Sequence, residues 1–147
     1  MDTTTFPALG CAEPFLAALE RRGYTTPTQV QAECFAPGLA GRDLLVQSRT
    51  GSGKTLAFGL PLMHRLQDER HPQALILAPT RELAQQVAVE LLSVLPRLPV
   101  AQLVGGMSYH PQFAALHHGA SVVVGTPGRV LDHIEKESLD LSHVSMV

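Results

Sequence analysis

Apolar positions along this chain follow two spacings that alternate almost from end to end. Residues 80–95 set Leu83, Val87, Leu91 and Leu95 four apart, which predicts a helix with one apolar stripe, ended by Pro96 and Pro99. On either side the pattern becomes continuous. Residues 74–78 (Ala-Leu-Ile-Leu-Ala) and residues 43–47, with Leu44, Leu45 and Val46 at their centre, are short unbroken apolar runs. Such runs predict strands buried on both faces of a parallel sheet. Residues 100–104 and the β-branched residues 121–125 predict two further strands, and a last one begins near His143 and reaches Val147.

Helices are expected in the intervals. Pro14 near a start, Arg21 and Arg22 near an end and Gly23 just past it predict a helix over 13–23, with Phe15, Leu16 and Leu19 as its buried stripe. The next helix follows Pro27. There Thr28 and Gln31 have the spacing of a capping box, in which the Gln31 amide reaches back to the Thr28 backbone N–H. Residues 54–66 are apolar nearly all round, as in a helix enclosed within a domain, and Pro61 predicts a kink or a break. A weaker helix covers 111–118. The last begins at Pro127, is capped by Thr126 and runs to Glu137. This alternation predicts an α/β fold: a doubly wound parallel sheet with helices on both faces and right-handed crossovers. Ligands of such sheets sit beyond the carboxyl ends of the strands. Segments 48–55, 79–82, 105–106 and 126–129 all fall at such ends, so all are expected on one face.

Composition narrows this picture only slightly. The chain has 147 residues, enough for one domain, with 45% hydrophobic and 16% charged residues. Eleven basic residues stand against 13 acidic ones, a net charge of −2, so no broad basic surface announces a polyanion partner. Any polyanion must be held by local groups. Cys11 and Cys34 have no metal-ligand spacing and read as reduced, partly buried thiols of a cytoplasmic protein. The first residues carry neither a basic leader region nor an apolar one, and no run is long enough to cross a membrane. His110, His117 and His118 lack a nearby carboxylate or thiol and read as solvated; Asp132, Glu135, Glu137 and Asp140 read as a solvated face.

The strongest chemical signal is Ser48, Arg49, Thr50, Gly51, Ser52, Gly53, Lys54 and Thr55, lying between an apolar run and a helix. Gly51 and Gly53 allow turns that a Cβ would block, so that successive backbone N–H groups converge on phosphate oxygens at a helix N-terminus. Lys54 is then placed to reach the β- and γ-phosphates, and the Thr55 hydroxyl to ligate the accompanying Mg²⁺. Nucleotide binding, with ATP and Mg²⁺ as cofactors, is the expectation.

Taken together, these blocks resemble the N-terminal part of DEAD-box RNA helicases, in particular their first RecA-like domain. Residues 23–31 (Gly-Tyr-Thr-Thr-Pro-Thr-Gln-Val-Gln) are similar to the Q motif of that family, and Phe6 lies where the family keeps an upstream aromatic. The family usually has Pro-Ile before the glutamine, where this chain has Gln29 and Val30. Residues 48–55 resemble its Walker A motif, in which Ala or Ser is usual at the first position. Pro79, Thr80, Arg81, Glu82, Leu83 and Ala84 match motif Ia, Gly105 and Gly106 the GG doublet, and Thr126, Pro127, Gly128 and Arg129 motif Ib.

The resemblance implies a RecA-like P-loop domain, incomplete at its C-terminus, with 1–31 as the Q-motif region and 43–147 as the α/β core. It implies that Gln31 reads adenine, its amide offering a donor and an acceptor to N6 and N7, with Phe6 covering the base. Tyr24, which otherwise reads as a packing residue, joins Phe6, Gln31 and residues 48–55 in the implied nucleotide site. RNA would meet Pro79, Thr80, Arg81, Glu82, Gly105, Gly106, Thr126, Pro127, Gly128 and Arg129. Contacts made by backbone N–H groups, hydroxyls and a few guanidinium groups are sequence-independent and need no basic composition.

The resemblance also implies what should follow Val147: the DEAD sequence with its Mg²⁺-positioning aspartate and water-activating glutamate, then the SAT motif and a second RecA-like domain with an arginine finger. Phosphoryl transfer depends on such groups. The parent protein is therefore expected to be an ATP-dependent RNA helicase that couples ATP hydrolysis to duplex remodelling, and residues 1–147 alone are expected to be inactive. The alternative is a free-standing, non-hydrolysing nucleotide- or RNA-binding module; motifs Ia and Ib speak against another P-loop enzyme such as a small-molecule kinase. Because the SAT strand would lie between 43–47 and 143–147, the sheet is expected to lack a central strand and to leave a slot beside 43–47, so that this strand does not have hydrogen-bonded neighbours on both of its edges.

Overall fold

The computed structural model describes residues 4–147; residues 1–3, part of the segment examined for a leader, lie outside the described residues. Its elements are α1 (Glu13–Arg21), α2 (Gln29–Leu39), α3 (Lys54–Arg65), β1 (Ala74–Leu77), α4 (Arg81–Val94), β2 (Val100–Leu103), α5 (Tyr109–His117), β3 (Val122–Gly125) and α6 (Pro127–Glu135). They form two compact units, one of residues up to 65 together with 93–96, the other of 66–92 and 97–147.

The first unit is helical. α1 opens on Glu13 and Pro14, where a missing N–H leaves no bond unmade, and after its last turn Gly23 takes a positive φ of 76°. α2 has the predicted capping box: Gln31 N–H donates to Thr28 Oγ1 at 3.4 Å, and Thr28 N–H to Gln31 Oε1 at 3.0 Å. α2 packs on α3, and a Cβ added to Gly38 would lie 2.8 Å from Pro61 Cβ. That close fit carries α3 across the hydrogen bond that Pro61 cannot make, so the expected break is absent. His64 joins all three helices. It accepts from Ala12 N–H at Nε2 (2.9 Å), so Nδ1 holds the proton and donates to the Leu60 carbonyl (2.7 Å). Its ring stacks on Phe15 at 4.1 Å and meets Phe35 edge-on at 5.2 Å.

Residues 43–47 are not a strand, which corrects the sequence expectation. Leu44 and Val46 are 44% and 40% exposed and Leu45 is fully so. A strand buried on two faces needs neighbours on both edges, and among the described residues nothing pairs with this run. The open slot expected beside this run is exceeded: among the described residues it has no partner on either edge, and the strand itself is lost.

The second unit holds a parallel sheet in the order β1-β3-β2. Ala74 is level with Val122 and Val100, and Leu77 with Gly125 and Leu103. β3 is central, and Val122, Val123 and Val124 are fully buried, as its unbroken β-branched sequence requires. Leu75, Ala101, Leu103, Val123, Val130 and Leu139 belong to one apolar cluster against which Leu116 and Val144 also pack. On α4 the buried stripe is Ala84, Val87, Ala88 and Leu91, whereas Leu83, expected on it, is 41% exposed. The last predicted strand shrinks to one parallel bridge between Ala74 and Met146, with Leu75 N–H donating to Met146 and Ser145 N–H to Gln73. One bridge with two hydrogen bonds falls short of a continuing ladder. Among the described residues no helix is long and apolar enough to cross a membrane.

Candidate functional site

The loop before α3 closes on itself. Gly51 and Gly53 have φ of 77° and 87°, and a Cβ on Gly53 would overlap the Gln31 side-chain nitrogen. Lys54 Nζ donates to the carbonyls of Ser48 (2.6 Å) and Arg49 (2.7 Å), drawing the lysine back across the loop. Ser48 Oγ donates to Ser52 Oγ at 2.7 Å, and Ser52 N–H bonds to the Arg49 carbonyl. Thr50 is exposed and Thr55, in the first turn of α3, is half-buried. The unshared N–H groups of that turn and the lysine give the loop its positive character.

Gln31 is 7% exposed and fully engaged: Oε1 serves the cap of α2, and Nε2 donates to the Gly53 carbonyl at 3.2 Å. The capping role is thus observed, and the remaining amide bond ties α2 to the glycine loop. Phe6 is buried in the first unit at 2% exposure. Tyr24 is on the surface at 37% exposure, with the Arg22 guanidinium 5.5 Å from its ring centre. A cavity of about 680 Å³ is lined by Thr28, Glu33, Cys34, residues 44–49 and Ser52. Both cysteines are buried and free; burial pushes the Cys11 thiol up to about 11, and burial and then Glu33 raise that of Cys34.

In the second unit, Pro79, Thr80, Arg81 and Glu82 stand exposed at the start of α4. Thr80 Oγ1 accepts Leu83 N–H at 3.2 Å, an N-cap. Arg81 pairs with Glu82 at 3.2 Å. The Glu82 carboxyl sits below its ordinary range because it accepts its own backbone N–H and then the Arg81 bond. Gly106, with φ 73°, leaves a Cβ position 3.0 Å from Arg81 Nη1, so the loop after β2 and the start of α4 approach closely. Thr126 precedes α6, but its hydroxyl makes no cap bond, which corrects the expected capping role; its N–H donates instead to the Leu103 carbonyl at 3.0 Å. Pro127 and Gly128 are exposed in the first turn of α6.

Arg129 is held by residues that sequence reasoning passed over. Its Nη1 donates to the Met107 carbonyl (2.9 Å) and to Gln112 Oε1 (3.2 Å), and its guanidinium lies 4.0 Å from the Tyr109 ring centre. Asp132, read as part of a solvated face, accepts the Tyr109 hydroxyl at 2.6 Å and lies 3.8 Å from Arg129 Nε. That hydroxyl, and then the nearby positive charges, hold the Asp132 carboxyl low, while the same bond raises the Tyr109 phenol. Behind them His133 is fully buried, bonded to Gln112 and to Ser138 Oγ, both at 2.8 Å. Burial, and then Arg129, lower its imidazole pKa. The available signal was a histidine three residues after Val130, on the apolar stripe of α6.

A parallel sheet with intervening helices and a glycine loop that opens a helix define an α/β chain of the RecA-like P-loop class. A family model described as DEAD/DEAH box helicase matches residues 28–147, and the chain belongs to that family. It is 50% identical over 146 residues to the ATP-dependent RNA helicase DeaD of Klebsiella pneumoniae, covering 97% of this chain and 23% of that protein. It is 48% identical to the RNA helicase CrhR of Synechocystis, covering 99% of this chain and 30% of that one. The crystal structure of a DEAD box protein from the hyperthermophile Methanococcus jannaschii superposes with a TM-score of 0.88 at 40% identity, over 95% of this chain and 39% of that one. The chain thus spans between about a quarter and a third of the curated relatives named here.

Proposed function

We propose that this chain is the nucleotide-binding and RNA-contacting part of an ATP-dependent RNA helicase, whose full-length form couples ATP hydrolysis to remodelling of RNA duplexes. The observation that supports it most is the loop 48–55, where positive-φ glycines, a lysine folded over the loop and a threonine at the start of α3 stand together. ATP with Mg²⁺ fits these residues. Gly53 turns the loop at a positive φ where a Cβ would strike the Gln31 side chain, Lys54 supplies the cation, and Thr55 offers a hard oxygen of the kind Mg²⁺ takes. When phosphate binds, Lys54 exchanges the Ser48 and Arg49 carbonyls for phosphate oxygens, and the N–H groups at the start of α3 take the negative charge. Mg²⁺ supplies neutralisation of the phosphate charge. Gln31 keeps the loop in register through Gly53 and would read adenine by exchanging that bond or its cap, with the buried Phe6 and the exposed Tyr24 as the aromatic residues assigned to the site.

RNA is bound through groups that track its backbone. The starts of α4 and α6 present unshared N–H groups, Thr80 and Thr126 present hydroxyls, and Arg81 and Arg129 present guanidinium groups. Such binding is sequence-independent and weakens with salt. The second RecA-like domain of the parent chain is the partner that completes hydrolysis.

Titration of labelled ADP and GDP against the full-length protein tests the nucleotide reading. Wild type should prefer ADP, Lys54→Ala should bind about tenfold or more weakly, and Gln31→Glu should lose the base preference. Gln31→Glu keeps an oxygen that can cap α2, removes the amide donor and adds a negative charge beside the Gly53 carbonyl. Equal affinity for ADP and GDP in wild type would sink the adenine assignment, and an unaffected Lys54→Ala would sink the cradle.

A further inference from the structure

The corner around Arg129 contains more buried hydrogen bonding than an RNA contact by itself needs. Arg129 is only 10% exposed, and Nη1 is spent twice inside the protein. Among the described residues Nη2 makes no hydrogen bond and is not a buried unpaired atom. The guanidinium is thus fixed on one edge and over one face, with its other edge free. Gln112, 4% exposed, is what fixes that edge. Its Nε2 donates to the Val104 carbonyl at 3.0 Å, which settles the orientation of the amide: Oε1 must face the two nitrogen donors, Arg129 Nη1 and His133 Nε2. His133 therefore carries its proton on Nε2, and its Nδ1 accepts the Ser138 hydroxyl. The His133 carbonyl accepts the N–H groups of Ser138 and Leu139 and also lies 3.1 Å from the Ser138 hydroxyl, whose single proton is shared between that carbonyl and the ring.

We propose that Gln112, oriented by His133, is a positioning residue for Arg129 that sets where the free edge of the guanidinium meets an RNA phosphate; this rests on the RNA reading of Arg129 given above. One amide reads three places at once: the end of β2 at Val104, the loop after it through the Met107-bound arginine, and the buried side of α6 through His133. A flexible arginine loses rotamer freedom when it binds phosphate, whereas one already held at Nη1 and stacked on Tyr109 has lost most of it beforehand. Without Gln112, Nη1 keeps only the Met107 carbonyl, and the existing Nε pair with Asp132 at 3.8 Å is left to turn the guanidinium away from the ligand. Positioning and charge are then coupled, which a merely structural glutamine would not show.

The test is a double-mutant cycle in the full-length protein, with fluorescence anisotropy of a labelled single-stranded RNA across a salt series and the nucleotide titration as a check on the rest of the molecule. Arg129→Ala should weaken RNA binding about tenfold and lower the salt slope by about one. Gln112→Leu should reproduce most of both changes with ADP affinity unchanged, and should add little when Arg129 is already alanine. His133→Gln retains a donor toward Gln112 Oε1 and should bind RNA like wild type, whereas His133→Leu should resemble Gln112→Leu. Full additivity in the cycle, or wild-type affinity and slope in a folded Gln112→Leu while Arg129→Ala is impaired, overturns the positioning role alone. An unaffected Arg129→Ala overturns the RNA reading of this corner and the positioning role with it. If Gln112→Leu fails to give a cooperative melt, the two His133 variants decide: equal RNA binding by both overturns the proposal, and loss in the leucine variant alone supports it.

Discussion

Lys54 and Arg129 are two of the cations assigned to phosphate, and they are restrained by different means. Lys54 is bonded to carbonyls five and six residues before it, in a loop whose lead-in residues 44–46 stand in solvent. Arg129 is bonded to groups 17 and 22 residues away, and Gln112 and His133 behind it are buried beside a sheet whose central strand is inaccessible. The first arrangement can form from neighbours in sequence once the glycines turn the chain. The second exists only after β2, α5 and α6 have packed. A phosphate loop that must open for a ligand is built from short-range, exchangeable bonds, whereas a fixed contact for a backbone-tracking partner draws on long-range packing, where local opening is costliest.

The largest expected effect tests this contrast in stability. Val123 lies at the centre of β3 and Leu45 in the exposed run, so Val123→Ala should cost about 2–3 kcal/mol by denaturant unfolding and Leu45→Ala under about 0.5 kcal/mol. Similar costs for both would mean that residues 43–47 are packed in solution and would break the comparison.

A second, smaller effect sharpens it through pH. Burial and then Arg129 hold His133 below its ordinary value near 6.5, against the milder pull of Asp132, with Lys136 adding to the depression. The unfolded chain takes up a proton near pH 6.5 while the native state resists it. His133 therefore contributes fully above about 6.5, and that stability is lost as pH falls toward the native pKa. Urea midpoints at about pH 7.5 and 5.5 should differ, with the acid value lower, and His133→Gln should shrink the difference. An unchanged difference in His133→Gln would assign the acid sensitivity to other groups.

The smallest effect concerns the end of α6. Glu137 has φ of 56°, the one non-glycine residue at positive φ among those described. Gly at this position removes the Cβ clash of the left-handed region, and Glu137→Gly should raise stability by about 0.5–1 kcal/mol in a thermal melt. A loss of stability would show that the side chain contributes more than the backbone strain removes.

Much of this was legible in the sequence, for identifiable reasons. The capping box at Thr28 and Gln31, the glycine loop and the three strands of the sheet are set by local chemistry or by unbroken apolar runs, and each stands where it was expected. Residues 43–47 were misread because an apolar run specifies a strand only if a partner is present, and pairing is not a property of the run. Leu83 was misread because four-residue spacing fixes a stripe only up to the small residues that share it, here Ala84 and Ala88. The Gln112–His133 network was invisible because its members are 21 residues apart and neither has a motif of its own. Only a histidine in register with Val130 hinted at it.

The exposed run at 44–46 has a consequence for handling the protein. Leu44, Leu45 and Val46 form an uncharged aliphatic segment with Pro absent from its immediate flanks and no backbone ladder of its own among the described residues. Such a segment is a template for edge-to-edge association between molecules. A lysine at position 45, the most exposed of the three, places a charge where a second copy would have to stack. Preparations of residues 1–147 should accordingly lose soluble protein with a steep dependence on concentration, and Leu45→Lys should slow that loss while leaving the sheet of the second unit intact.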